Sequence, residues 1–264
     1  MFRISMVLIM FSLACKPAVK EPSEVVAVDS KPAWQKIFNG QNLDGWTVKI
    51  NKHPVRVNYG NTFRVEEEIL KIRYDQYGDD FDERFGAVYF NERLQNYRLR
   101  LEYRFVGETA PGAPEWGFRD SGVQIHSQSP ESVKIDQPFP VSVEYNLHGG
   151  NGTDDRPVGE VCANGIKVQI DGETNSSYCT PAKIKKTYHG DRWVKLEIEV
   201  KDGVIKHFSE GVEILSYSNP VFDADHDLGK EFITDGNDIV RDGYISFQSN
   251  SHPIDFRNVE LMKY

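Results

Sequence analysis

The sequence predicts an all-β protein folded as a β-sandwich, and three observations carry that prediction. Apolar residues recur with period two through most of the chain. Val, Ile, Tyr and Phe are enriched between turns of Gly, Asn and Asp. The one apolar run of helical length lies at the N-terminus.

That run is the first element. Arg3 precedes an apolar stretch from Ile4 to Ala14, too short to span a bilayer as a helix, which stops at Cys15. It reads as a signal peptide, and Ser12-Leu13-Ala14-Cys15 resembles a lipoprotein processing box in which the Cys15 thiol takes the lipid. Residues 1–15 are therefore expected to be a lipoprotein signal. Residues 16–31, rich in Pro, Glu, Val, Lys and Ser without an apolar face, are expected to be a flexible tether. The expected location is the bacterial cell envelope, as a periplasmic or outer-membrane lipoprotein that meets the membrane only through its lipid.

Residues 32–264 remain for a single domain, and no repeat or linker divides them. A hydrophobic content of 39% with 12% aromatic residues suffices for a substantial core. The net charge of -9 argues against a nucleic-acid or anionic-membrane binder, because phosphate backbones require clustered Lys and Arg. Cys15 apart, Cys162 and Cys179 form an even pair. In an oxidising compartment they are expected to form a disulfide worth roughly 3 kcal/mol. Two cysteines without CxxC spacing do not make a zinc site.

The strands follow in order. Tyr97, Leu99, Leu101, Tyr103 and Phe105 alternate with Arg98, Arg100, Glu102 and Arg104, giving one buried and one wet face. Val194, Leu196, Ile198 and Val200 repeat this opposite Lys195, Glu197 and Glu199. Two central strands differ. In Gly122 to His126, Val123 and Ile125 are expected in the core, which sends Gln124 and His126 the other way. In Val141 to His148 the outward set is Ser142, Glu144, Asn146 and His148, and Tyr244 to Gln248 adds Tyr244, Ser246 and Gln248. Such a wall of short hydrogen-bonding groups is the inventory that a sugar's hydroxyls need.

Two bracketing stretches, Phe38-Asn39-Gly40-Gln41-Asn42-Leu43-Asp44-Gly45-Trp46 and Asp255-Phe256-Arg257-Asn258-Val259-Glu260-Leu261, carry a resemblance that the central strands Asp120 to His126 and Ser142 to Gly150 extend. The stretch from Glu160 to Cys179 and Lys186 to Val194 continue it. From about Trp34 to Tyr264 the chain resembles the bacterial 3-keto-disaccharide hydrolase-like family. It departs from many members at His126, where they carry Arg, and at Asn146, where they carry Gln.

The resemblance implies a concanavalin A-like jelly-roll β-sandwich of two antiparallel sheets acting on an oligosaccharide or glycoside. It also implies a hydrolase or lyase reaction on 3-keto-glycosides. A ketone at carbon 3 acidifies the hydrogen on carbon 2, a base removes it, the aglycone leaves carbon 1, and water adds. Such chemistry needs a base, an enolate stabiliser and a leaving-group acid. An upstream sugar 3-dehydrogenase would supply the ketone.

Glu144 is the candidate base or metal ligand and His126 its expected partner. His148, ahead of Gly149-Gly150-Asn151-Gly152, is the candidate donor to the leaving oxygen. Expected substrate contacts are Gln124, Asn146 and Gln248, with Arg119 at the strand entrance beside Asp120. His207 is expected to reach the cleft by alternation with Ile205, and His252 to sit at its rim. Arg257 is expected to tie the terminal strand to a neighbour. The sequence establishes no cofactor, and a divalent metal ion at His126 and Glu144 is the candidate one. A serine hydrolase is disfavoured because no GxSxG elbow is present, and a two-carboxylate glycosidase because no matching second carboxylate faces outward. The alternative is a non-catalytic carbohydrate-binding lipoprotein. A binding module favours exposed aromatic platforms, so the Glu and His content of the wall favours the enzyme.

Overall fold

The computed structural model describes residues 1, 2 and 32–264. The expected signal peptide, the lipidated Cys15 and the tether lie outside the described residues. Residues Pro32–Tyr264 form one compact unit, and no α-helix occurs among the described residues.

Seventeen strands build it. The first six are β1 (Gln35–Lys36), β2 (Trp46–Ile50), β3 (Phe63–Glu66), β4 (Ile69–Ile72), β5 (Gly86–Phe90) and β6 (Tyr97–Phe105). The central group is β7 (Asp120–Ser127), β8 (Ser142–His148), β9 (Val161–Asn164), β10 (Ile166–Ile170), β11 (Glu173–Asn175) and β12 (Cys179–Thr180). The last are β13 (Val194–Lys201), β14 (Val204–Ser209), β15 (Val212–Phe222), β16 (Tyr244–Ser249) and β17 (Ile254–Lys263). A ten-stranded sheet runs β11-β10-β15-β14-β13-β6-β17-β4-β3, with β1 also pairing β17, and a seven-stranded sheet runs β12-β9-β8-β7-β16-β5-β2. Every strand pairing is antiparallel, as hairpins and long return connections permit.

Alternation sets the faces. In β6 and β13 the apolar residues are buried and the charged ones reach solvent, as their period-two pattern requires. Asp202-Gly203 and Glu210-Gly211 close the β13–β14 and β14–β15 hairpins as two-residue turns with positive φ at both positions, the geometry that matches strand twist. The core between the sheets is aromatic, and Trp46, Phe247 and Phe256 stack through it at centroid spacings of 5.1 and 4.8 Å.

The two bracketing stretches meet in space. Asn39 Oδ1 accepts the backbone N–H groups of Gln41 and Asn42 at 2.8 and 3.0 Å, which forms the turn that turns the chain back toward Trp46. The Trp46 indole N–H then donates to the Ile37 carbonyl at 3.0 Å, beside β1, which lies along β17. On β17, Asp255 is fully buried between Arg73 and Arg104, and Arg257 donates to Glu102 of β6 at 2.7 Å. Arg257 thus ties the terminal strand to its neighbour as expected. Cys162 and Cys179, directly opposite across β9 and β12, form the disulfide.

Candidate active site

One rung crosses the whole seven-stranded sheet. It reads Cys179, Cys162, Glu144, Gln124, Ser246, Tyr89 and Thr47 from edge to edge. Their strand neighbours Val143, Val123, Ile245 and Phe247 belong to the core, so these residues face away from the larger sheet. Ser246 Oγ donates to Gln124 Oε1 at 2.7 Å, and Gln124 Nε2 donates to Glu144 Oε2 at 3.2 Å. Glu144 is 9% exposed, and its carboxyl lies over Gly122, where a Cβ would come within 2.3 Å of Glu144 Cδ. Burial first, and the nearby charge of Asp120 second, push this carboxyl up to about 8.

The next rungs along β8 place Asn146 and His148 on the same face. Asn146 Nδ2 donates to Glu160 Oε1 at 3.0 Å. His148 Nε2 is 2.9 Å from Asp120 Oδ2 and 3.8 Å from Glu160 Oε1, and Nδ1 is 3.1 Å from the Pro157 carbonyl. Both ring nitrogens therefore face acceptors. Burial opposes protonation of the ring, but the hydrogen bond and charge of Asp120, with Glu160 and Pro157, outweigh it and raise the pKa above the ordinary imidazole value. Asn250 Nδ2 donates both to Asp120 Oδ1 at 2.6 Å and to Gln248 Oε1 at 2.7 Å, which closes the network.

An opening lies beside His148 and Glu160. His148 and Glu160 line a cavity of about 280 Å3, which shares Arg156 with a wider opening of about 740 Å3 formed by Trp116, Phe118 and Asn151. Trp116 is 51% exposed and is held flat by stacking on Phe85 at 5.4 Å. Such a plate beside amide and guanidinium groups suits a ring with one apolar and one polar face.

Residues 33–262 match the family described as 3-keto-alpha-glucoside-1,2-lyase-like domain. The chain belongs to this family. Among solved structures the fold is similar to two candidate glycosyl hydrolases from Parabacteroides distasonis ATCC 8503. One is 15% identical, with 88% of this chain and 94% of that chain covered and a TM-score of 0.51. The other is 16% identical, with 88% and 100% covered and a TM-score of 0.50. A Bacillus subtilis protein of unknown function with a galectin-like fold is 8% identical, with 84% and 90% covered and a TM-score of 0.51. No curated protein matches the sequence. The fold is thus a jelly-roll sandwich, and family membership gives the chain a carbohydrate-active function.

In this lyase-like domain the structure brings Glu144, Gln124, Asn146, Gln248 and His148 together on one face. It does not bring His126, His207, His252 or Arg119 to them. Between the pairs Gln124–Ser246 and Ser127–Tyr244, two residues of β7 oppose the single Ile245, a β-bulge with His126 at φ +49°. The bulge breaks the alternation. Ser127 returns to the outer face beside Tyr89, while His126 turns to a cavity shared with Val200 and Pro220 of the larger sheet. His126 and Glu144 therefore do not converge on one metal ion.

His207 shares the face of Ile205, and that face is the core. There it bonds the Gly159 carbonyl at 3.0 Å and the Tyr217 hydroxyl at 2.8 Å, and burial pushes it down to about 4. His252 is likewise buried instead of at a rim, bonded to Thr109 Oγ1 at 2.8 Å and flanked by Phe105 and Phe118. Arg119 turns to the 190s loop, donating to the Gly190 carbonyl at 2.9 Å and to Asp191 at 2.6 Å.

Glu160 and Asn250 join this network although the strand reading passed over them, and Asp120, expected beside Arg119 at the strand entrance, turns into it. Alternation back from Gln124 reaches Asp120, and alternation forward from Gln248 reaches Asn250. Glu160 precedes β9 and carries no periodic signal. Among the described residues one cluster of three has ligand atoms close enough to share an ion, namely Glu160, Cys162 and Cys179, and the disulfide uses both of its thiols.

Proposed function

We propose that the protein is a cell-envelope enzyme that cleaves 3-keto-glycosides by elimination, with Glu144 as the base at carbon 2 and His148 as the acid at the leaving oxygen. The observation that carries this reading is the presence of a desolvated carboxyl and a carboxylate-bound imidazole on one polar floor. Glu144 is a desolvated carboxyl raised to about 8, a proton acceptor of useful strength near neutral pH. His148 is an imidazole held toward its cationic form by Asp120.

The two residues are four apart on β8, about 13 Å between Cα atoms. Glu144 leans over Gly122, which pairs with Asn146, and so toward His148. As the C2–H bond breaks, its proton passes to Glu144 and its electron pair forms the C2=C3 bond of an enolate, the C3=O pair moving onto oxygen. The enolate then collapses to restore the ketone and form C1=C2 while the C1–O bond breaks, and the aglycone oxygen takes the proton from His148 Nε2. Water adding across C1=C2 completes net hydrolysis. The amides of Gln124, Asn146 and Gln248 supply donors for the ketone oxygen as it gains negative charge. A dehydrogenase acting at carbon 3 must supply the substrate.

The test is turnover of a 3-keto-glucoside and of its unoxidised parent by the full chain, with and without a chelator. Cleavage of the keto substrate alone supports elimination, and chelator sensitivity would add a divalent ion. Cleavage of the parent at an equal rate, or binding of both sugars without cleavage of either, would overturn the proposal.

A further inference from the structure

The bulge that removes His126 from the floor places it in a different setting. His126 is 4% exposed, and neither ring nitrogen has a hydrogen-bond partner; the Asp242 backbone lies near the ring without bonding geometry. A buried imidazole that lacks both partners is costly unless something fills the space before it. That space is a cavity of about 520 Å3 at one end of the sandwich, walled by the β13–β14 turn, the end of β15 and residues 239–241. It lies on the core side of β7, whereas Glu144 lies on the outer side of β8.

We infer that this cavity is a second, non-catalytic site for a neutral sugar, with His126 as its innermost hydrogen-bonding group. The chemistry of the wall selects the ligand class. An uncharged imidazole offers one donor and one acceptor, and sugar hydroxyls supply both complements. Asn96 and Asn219 add amides at the mouth, the first bonded to Asp202 and the second to Gln169. The formal charges of Asp202 and Arg241 cancel, and Asp242, whose charge reaches His126, is paired with Arg93 at 2.6 Å, so the surroundings hold no net charge to select an ion. Pro220 and Ile239 provide the apolar surface on which a pyranose lays its C–H face, and Ile239 is exposed at the mouth. The site stands on this cavity and does not depend on the elimination mechanism.

The experiment uses the full chain with 13C-labelled histidine, titrated with methyl β-D-glucopyranoside and followed through the ring C–H resonances of its 7 histidines. His126→Phe assigns the His126 signal. The expected result is a saturable shift of that signal in the wild type, retained in His148→Gln. In Arg241→Ala, an exposed change that leaves the core intact, binding should weaken about tenfold, the loss of one good polar contact. Turnover of the 3-keto-glucoside by Arg241→Ala should match the wild type, so failure of this site and failure of the catalytic proposal are read separately. A His126 signal that never moves would show a water-filled cavity only and overturn the inference. A shift that disappears in His148→Gln would assign the sugar to the opening beside His148 instead.

Discussion

Glu144→Gln retains the shape of a side chain that lies over Gly122 and beside Gln124, and removes its ionisation. Loss of the base should lower turnover of a 3-keto-glucoside about a hundredfold to ten-thousandfold. Stability should respond in the opposite direction at high pH. The folded pKa, about 8, lies above the ordinary value of 4.5. The stability tied to the neutral carboxyl is therefore fully present below the unfolded pKa and is lost as pH rises through the folded one. Integrated between about pH 5 and pH 9, that loss is about 4 kcal/mol in the wild type, and the Gln variant lacks it. Urea unfolding of both proteins at several pH values across this window measures the difference directly, because every other titrating group is common to both. The variant should match the wild type near pH 5 and exceed it by an amount that grows toward pH 9. Unfolding free energies that run parallel across the window, or turnover within about threefold of the wild type, would refute a desolvated catalytic carboxyl.

Other changes probe the supports. Asp120→Asn removes the partner at 2.9 Å that raises the His148 pKa, so an NMR titration of that ring should show a lower midpoint, and an unchanged one would remove Asp120 from the role. Gly122→Ala puts a methyl 2.3 Å from Glu144 Cδ, and turnover should fall by about tenfold or more while the far-ultraviolet spectrum stays that of a β protein. Asp255→Asn leaves Arg73 and Arg104 without their shared carboxylate at a fully buried position, and should cost about 3–5 kcal/mol in urea unfolding with little change in substrate affinity.

The floor was legible because its strands obey one simple rule. Gln124, Glu144, Asn146, His148, Ser246 and Gln248 each follow from period-two alternation against apolar neighbours, and the structure keeps them on one face. The rule assumes one-to-one pairing, and His126 shows where that fails. Its bulge is set by β16, and by Gly243, where a Cβ would come within 2.5 Å of the His126 backbone; no local pattern in β7 records either. His207 failed differently. Two residues from Ile205, it shares that residue's face, so period two itself places it in the core, where Gly159 and Tyr217 from distant elements satisfy its ring. A histidine's amphipathic ring fits either side of a strand when partners satisfy it.

The same contrast explains why one glutamate among many is suited to the proposed role of base. On the outer face of the larger sheet, Glu102 pairs with Arg257, Glu197 with Arg98 and Glu260 with Arg100. Those carboxylates sit opposite permanent positive charges in wet surroundings. The Glu144 rung carries no Lys or Arg from edge to edge, and its partner is an amide whose other end is already committed to Ser246. Neutral dipoles satisfy the carboxyl's geometry without compensating its charge, so ionisation is deferred until near neutral pH. The cation that the floor does hold is conditional, since His148 depends on Asp120 for its proton. A fixed arginine at the place of Gln124 would lower the Glu144 pKa and weaken the proposed base, so the amide belongs to the arrangement proposed for catalysis.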